Sequence, residues 1–214
     1  MIELAGVSKS FGNYPAVSNV SLAIPDHARI ALLGPSGSGK TTLLRLIAGL
    51  EIPDAGTISL DGRIISSPEY VDPPSKRSIG FVFQSAALWP HMTVSQNILF
   101  GLDPLPEKEQ KQRLGILLER LKITHLKERF PDQISGGEAR RVALARAIAP
   151  QPSTLLFDEP LTSLDRELRD DLLSLITETV RATGSAMVYV THDEYEAEYV
   201  ADTILHFEKG SITR

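Results

Sequence analysis

At 214 residues, with 42% hydrophobic and 23% charged side chains, the chain has the size and composition of one soluble globular domain, or of a domain carrying an inserted subdomain. Its formal net charge of -5 argues against a general nucleic-acid binder, and the absence of cysteine excludes disulfides and thiolate metal sites. No apolar run approaches the roughly 18 residues needed to cross a bilayer, and no basic-then-apolar leader opens the chain, so a cytosolic protein that meets a membrane only through a partner is expected.

The first part of the chain reads as β-rich. Met1 to Val7, Val17 to Ile24 and Arg29 to Leu33 are apolar or alternating runs separated by turn residues. The third run leads into Gly34-Pro35-Ser36-Gly37-Ser38-Gly39-Lys40-Thr41, which fits G-x-x-x-x-G-K-[ST]. Thr42 and the helically spaced Leu43-Leu44-Arg45-Leu46-Ile47 follow. Strand, loop and helix in that order are the context a phosphate-binding loop requires, which disfavours a mere glycine-rich connector. The glycines let successive backbone N–H groups converge on phosphate oxygens, and the helix N-terminus adds partial positive charge. Residues Gly34 to Thr42 are therefore the expected phosphate contacts, with Lys40 bridging the β- and γ-phosphates and the Thr41 hydroxyl ligating Mg2+.

Gly56 to Gly62 looks like a strand closing on an Asp-Gly turn, and Ser78 to Phe83 like a short buried strand. From Thr93 to Ala149 the pattern turns helical, with Leu114, Leu117, Leu118 and Leu121 spaced for one buried face. The Lys and Arg residues between Lys108 and Arg129 read as a solvated helix face. Within this stretch, Ile134-Ser135-Gly136-Gly137-Glu138 sets a hydroxyl donor and two glycines at a helix start. That arrangement is an ordinary N-cap or a second anion site.

Thr154-Leu155-Leu156-Phe157-Asp158-Glu159 is an apolar strand running into paired carboxylates. Asp158 at the strand end is suited to hold the Mg2+ shell, through water, and Glu159 to orient or deprotonate an attacking water. An amphipathic stretch from Arg166 to Thr183 separates it from another apolar strand, Ala186 to Val190, after which comes His192. Strand, helix, strand at this spacing signals a parallel α/β core, with the helical middle segment inserted into it. His27, His91, His125 and His206 carry no expected role.

The order of these motifs resembles the ATP-binding cassettes of ABC transporters. Ser135-Gly136-Gly137 is similar to the family signature L-S-G-G-Q, with Ile134 and Glu138 in place of the commoner Leu and Gln. The negative charge of Glu138 is unfavourable beside a phosphate, so its side chain is expected to face away from it. The resemblance further implies that Gln84 is the Q-loop glutamine, at the metal and the water, and that Ser163-Leu164-Asp165 is the D-loop. It makes His192 the switch histidine, contacting the γ-phosphate and positioning Glu159, and Phe11 the adenine-stacking aromatic, with Tyr14 its rival. Glu159, His192 and Gln84 are thus the expected catalytic set. Thr41, Gln84 and Asp158 are the expected metal set, and Phe11, Ser135, Gly136, Gly137 and Asp165 join the loop in binding ATP.

The implied fold is an α/β P-loop NTPase core with a mainly parallel sheet, an N-terminal antiparallel β-subdomain and an inserted α-helical subdomain at about 88–151. Residues 1–214 form a single cassette, and no C-terminal regulatory domain is expected. The segment Lys76 to Gln84, then Leu88-Trp89-Pro90-His91-Met92-Thr93-Val94, looks like the ATPase subunits of bacterial and archaeal importers for sugars, ferric iron, sulfate or polyamines. The implied assembly is a head-to-tail dimer with a second copy or a related cassette. It sits peripherally on the cytoplasmic side of the cell membrane, docked through Gln84 to Met92 on a polytopic permease, with an extracytoplasmic solute-binding protein in the same system and no nucleic acid. The rival class, soluble cassettes acting on DNA or ribosomes, inserts long coiled coils or carries two cassettes. Here Gln84 and Ser135 are about 50 residues apart, without heptads.

Overall fold

The computed structural model describes residues 1–103 and 105–213. The chain opens with two long strands, β1 (Ile2–Phe11) and β2 (Tyr14–Ile24), joined by a tight turn at Gly12-Asn13. Then come β3 (Arg29–Leu33) and α1 (Lys40–Ala48), followed by β4 (Ala55–Leu60), β5 (Arg63–Ser67) and the short β6 (Tyr70–Val71). Strand β7 (Ile79–Val82) precedes the helices α2 (Val94–Leu99), α3 (Glu107–Arg120) and α4 (Gly136–Ile148), with 3-10 turns between them at Phe100–Leu102, Thr124–Leu126 and Pro131–Gln133. The chain continues with β8 (Thr154–Asp158), α5 (Arg166–Thr183), β9 (Ala186–Thr191), α6 (Glu194–Val200), β10 (Thr203–Glu208) and β11 (Ser211–Thr213). None of the described helices is long and apolar enough to cross a membrane.

Two sheets result. The first is antiparallel, in the order β2-β1-β4-β5-β6. The second has the order β11-β10-β3-β9-β8-β7, with β10 through β7 parallel and β11 antiparallel at the edge. Every residue of β8 and β9 is buried, so these strands read as unbroken apolar runs rather than alternating ones. The period of two still sorts their side chains. Leu155, Phe157, Met187 and Tyr189 enter a core shared with α2 to α5, whereas Leu156, Val188 and Val190 face a second core with α1 and the antiparallel sheet.

Strand β1 runs four residues past Val7, where the apolar run ends. Ser8, Lys9 and Ser10 carry no strand pattern of their own. They are held extended by pairing with β2 and β4 across several register shifts. The consequence is positional, because Phe11 and Tyr14 face each other across the hairpin end.

Arg77 pins the antiparallel sheet to α1. It is fully buried, and all its donors are used. Nη1 reaches the Leu46 and Ile47 carbonyls at the end of α1, Nη2 the Ile65 carbonyl and Ser66 Oγ, and Nε the Asp72 carbonyl, at 2.7–3.3 Å. The cation thereby sits at the negative end of the α1 dipole. Burial nonetheless lowers its pKa.

Candidate functional site

In open parallel sheets ligands bind beyond the carboxyl ends of the strands. Here β3, β9, β8 and β7 are neighbours, and their carboxyl ends deliver the Gly34–Thr41 loop, His192, Asp158 with Glu159, and Gln84 respectively. Residues spread over more than half the chain therefore meet at one sheet edge.

The loop between β3 and α1 is threaded where only glycine fits. A Cβ on Gly34 would lie 2.0 Å from the Phe207 carbonyl oxygen, and one on Gly39, at φ 107°, would lie 1.9 Å from that of Ala16. Lys40 opens α1 with 3% of its side chain exposed and folds back over the loop. Its Nζ donates to the Gly34 and Pro35 carbonyls at 2.7 and 2.8 Å. Burial lowers its pKa, against the opposing pull of Glu159 and Asp158. Ser38 Oγ is buried with no partner, an orphaned hydroxyl inside the phosphate cradle.

Thr41 and Asp158 are 117 residues apart in sequence, yet the Thr41 hydroxyl donates to Asp158 Oδ1 at 2.7 Å. Burial pushes the Asp158 carboxyl up, the Thr41 bond pulls it down, and the neighbouring Glu159 charge raises it again. A hydroxyl and a carboxylate side by side form a hard oxygen donor set, which fits Mg2+ in its usual company of waters and substrate phosphates. Gln84, exposed on the next strand end, borders the same space.

Glu159 takes up a left-handed backbone conformation, φ 44°, with its N–H bonded to the Val190 carbonyl at 3.0 Å. Such a conformation in a non-glycine residue persists only where the surroundings impose it. The result is a carboxylate held between two groups. Oε1 lies 3.8 Å from Lys40 Nζ, and Oε2 lies 3.1 Å from His192 Nδ1. Thr162 Oγ1 braces the turn by donating to the Glu159 carbonyl at 3.0 Å.

Two adjoining clefts open over these groups. One, of about 510 Å3, is lined by Phe11, Tyr14, Ser36, Thr42, Gln84 and Glu159 among others. The second, of about 650 Å3, reaches from Thr41 and Asp158 across Gln84 to Gly136, Arg140 and Ser163. Phe11 and Tyr14 are both half exposed at the rim. Lys9 Nζ sits 5.6 Å from the Phe11 ring, whereas the Tyr14 hydroxyl donates to the Gly37 carbonyl at 2.6 Å. Tyr14 thus braces the phosphate loop itself, a role its sequence position does not reveal.

The signature segment lies across the larger cleft from Thr41. Ser135 is the exposed N-cap of α4, and Gly136 faces the larger cleft. Gly137 is buried, and a Cβ there would lie 2.7 Å from Leu168 Cδ2, so its bareness also serves helix packing. Glu138 folds back onto Ser135. Its Oε2 accepts from both the N–H and the hydroxyl of Ser135, because a Glu three residues into a helix closes a capping box. Asp165 caps α5 by accepting from the Leu168 N–H at 3.0 Å. Sequence reading passed over Arg140, which donates to the Pro160 and Thr162 carbonyls at 2.5 and 2.7 Å and ties α4 to the Glu159 turn. Its place on the signature helix, five residues after Ser135, is the only hint the sequence offers.

The family model described as ABC transporter matches residues 17–162. The chain is 46% identical over 217 residues to the sulfate/thiosulfate import ATP-binding protein CysA of Yersinia pseudotuberculosis, covering 99% of this chain and 59% of that protein. It is 45% identical over 217 residues to CysA of Escherichia coli K12, covering 99% and 58%. It therefore spans somewhat under two thirds of the length of the curated relatives it matches. Among solved structures, a dimeric post-hydrolysis state of the ATP-binding cassette MJ0796 bound to ADP and Pi superposes with a TM-score of 0.88 at 30% identity, covering 100% of this chain and 97% of that one. A second dimeric MJ0796 structure, of a bacterial ABC transporter cassette, gives 0.87 at 32%. With the phosphate loop, the paired carboxylates and the signature helix in one fold, the chain belongs to the ABC transporter family.

Proposed function

We propose that this chain is the ATP-binding and hydrolysing subunit of an ABC importer, acting as one of two head-to-tail cassettes on a separate membrane permease. The observation that carries the hydrolytic reading is Glu159, held between Lys40 and His192 beside the Thr41–Asp158 pair. In this reading the loop from Gly34 to Thr42 binds the phosphates, with Lys40 leaving the Gly34 and Pro35 carbonyls to meet the β- and γ-oxygens. Thr41, Asp158 and Gln84 hold Mg2+, which when bound supplies charge neutralisation to those oxygens. Glu159 orients a water toward the γ-phosphorus and accepts its proton as the β–γ bridge breaks. His192 fixes the carboxylate and reaches the γ-phosphate. Phe11 stacks on the adenine.

Ser135, Gly136 and Gly137, with Asp165 nearby, serve the nucleotide of the partner cassette. The dimeric assembly of the MJ0796 structures supports this division. Residues of about 88–151 act as the helical subdomain that carries the signature and meets the permease. The segment Gln84 to Met92 is suited to that contact because it is held rigid. Asn97 is buried and bonds the backbone of Trp89, Met92 and Thr93, and Arg146 donates to the Ala86 and Ala87 carbonyls while stacking on Trp89. An apolar groove of about 310 Å3 beside it, lined by Phe81, Phe83, Trp89 and Phe100, offers a seat for a helix. Relatives that are sulfate/thiosulfate import ATP-binding proteins support import. In this reading an extracytoplasmic solute-binding protein and the permease choose the solute, and the cassette lies on the cytoplasmic side of the membrane.

Mixing two defective chains tests the split site. Lys40→Ala removes the phosphate cation and Ser135→Arg blocks the signature, so each alone ruins both sites of a homodimer. A mixed dimer, with Glu159→Gln in both chains to preserve nucleotide, regains one site with intact Lys40 and intact Ser135. Trapped MgATP at about one site per mixed dimer is the expected result. No trapped nucleotide in dimers verified as mixed overturns the reading.

A further inference from the structure

The signature hydroxyl is engaged within its own helix. Ser135 Oγ donates to Glu138 Oε2 at 2.8 Å and accepts from the Glu138 N–H at 3.3 Å. The Ser135 N–H donates to the same carboxylate oxygen at 2.7 Å. A neutral amide closes such a capping box as well as a carboxylate does. A carboxylate does two further things. As a charged acceptor it holds the hydroxyl proton more strongly, and it places a full negative charge within a turn of the first N–H groups of α4, where partial positive charge favours anions. The bonds from Ser135 hold Glu138 below the usual carboxylate range, so this charge is present at neutral pH. Its side chain is about one third exposed, and His125 Nε2 stands 3.5 Å from its other oxygen.

We propose that Glu138 is a positioning residue that keeps the signature face in a low-affinity state for the partner's nucleotide. An arriving γ-phosphate must take the Ser135 hydroxyl from the Glu138 carboxylate and approach a like charge. The proposal rests on the split-site reading above. Removing the charge while keeping the acceptor strengthens association of two ATP-loaded cassettes.

The test uses the full chain in the Glu159→Gln background, with dimerisation followed by sedimentation over a range of protein concentrations in MgATP. Glu138→Gln is expected to lower the dimer dissociation constant about tenfold, the scale of one like-charge contact at a partly exposed site. The gain shrinks in about 0.5 M salt, where such contacts are screened. Glu138→Ala separates charge from capping. It melts earlier because the box is gone, yet it too dimerises more tightly than its parent. If the role is only structural, Gln matches the parent and Ala dimerises less, and the proposal is overturned. If parent and variants all stay monomeric in MgATP at every concentration, the split-site reading falls and takes the proposal with it. Dimers of equal strength in the parent and Glu138→Gln overturn the proposal alone.

Discussion

Glu159 Oε2 lies 3.1 Å from His192 Nδ1, joining the turn after β8 to the turn after β9. The histidine side chain is half exposed and the carboxylate nearly buried, so the pair forms a floor with an open side toward the cleft. The other carboxylate oxygen pairs with Lys40 Nζ at 3.8 Å, so the carboxylate is fixed from both sides.

Replacing Glu159 with Gln keeps the shape of that floor and removes the base. Steady-state ATP hydrolysis is expected to fall by about 10²–10⁴, the usual range for general-base catalysis, while nucleotide binding survives. His192→Ala moves turnover the same way but less, because Lys40 still flanks the carboxylate. Near-normal hydrolysis by Glu159→Gln at saturating ATP removes this residue from the chemistry.

Phe11 and Tyr14 make separable contributions to the nucleotide cleft. Phe11→Ala removes only a stacking face, and ATP affinity is expected to drop by about 1–3 kcal/mol, with GTP affected equally because stacking scarcely distinguishes purines. Tyr14→Phe removes only the bond to the Gly37 carbonyl, with an expected loss of about 0.5–1.5 kcal/mol. Titration of a fluorescent nucleotide measures both. A loss with Tyr14→Ala and none with Phe11→Ala means that the base stacks on Tyr14 instead.

Arg77 predicts a stability effect remote from the chemistry. Arg77→Met leaves the carbonyls of Ile47 and Asp72 without this donor in a buried pocket, and takes the second of two donors from those of Leu46 and Ile65. A destabilisation of about 3 kcal/mol is expected, which for a chain of this size lowers the melting temperature by roughly 6–12 °C. Calorimetry or denaturant unfolding measures it. An unchanged midpoint shows that the sheet and α1 are held together by packing alone.

What the sequence determined by itself was everything local. The phosphate loop is eight contiguous residues between an apolar strand and a helix, so its structure follows from short-range sterics and glycine placement. The runs Leu155 to Phe157 and Ala186 to Val190 announce buried strands by composition. Ser135 and Asp165 begin helices because their side chains cap their own backbone. Other features were settled only by tertiary structure, since they join distant parts of the chain. Strand order places β9 between β3 and β8, and so brings His192 to Glu159 and Thr41 to Asp158. Ser8 to Ser10 became strand only because two neighbours pair with them. Arg77 has no periodicity that distinguishes it from a surface arginine, and its burial depends on carbonyls contributed by α1 and β5. Glu138 lay between the two kinds. The sequence marked Ser135 as an N-cap or an anion donor and led to the expectation that the Glu138 carboxylate faces away from a phosphate, whereas the capping box itself emerged from the structure. Two short hydrogen bonds, from the N–H and hydroxyl of Ser135, hold that carboxylate at the helix start.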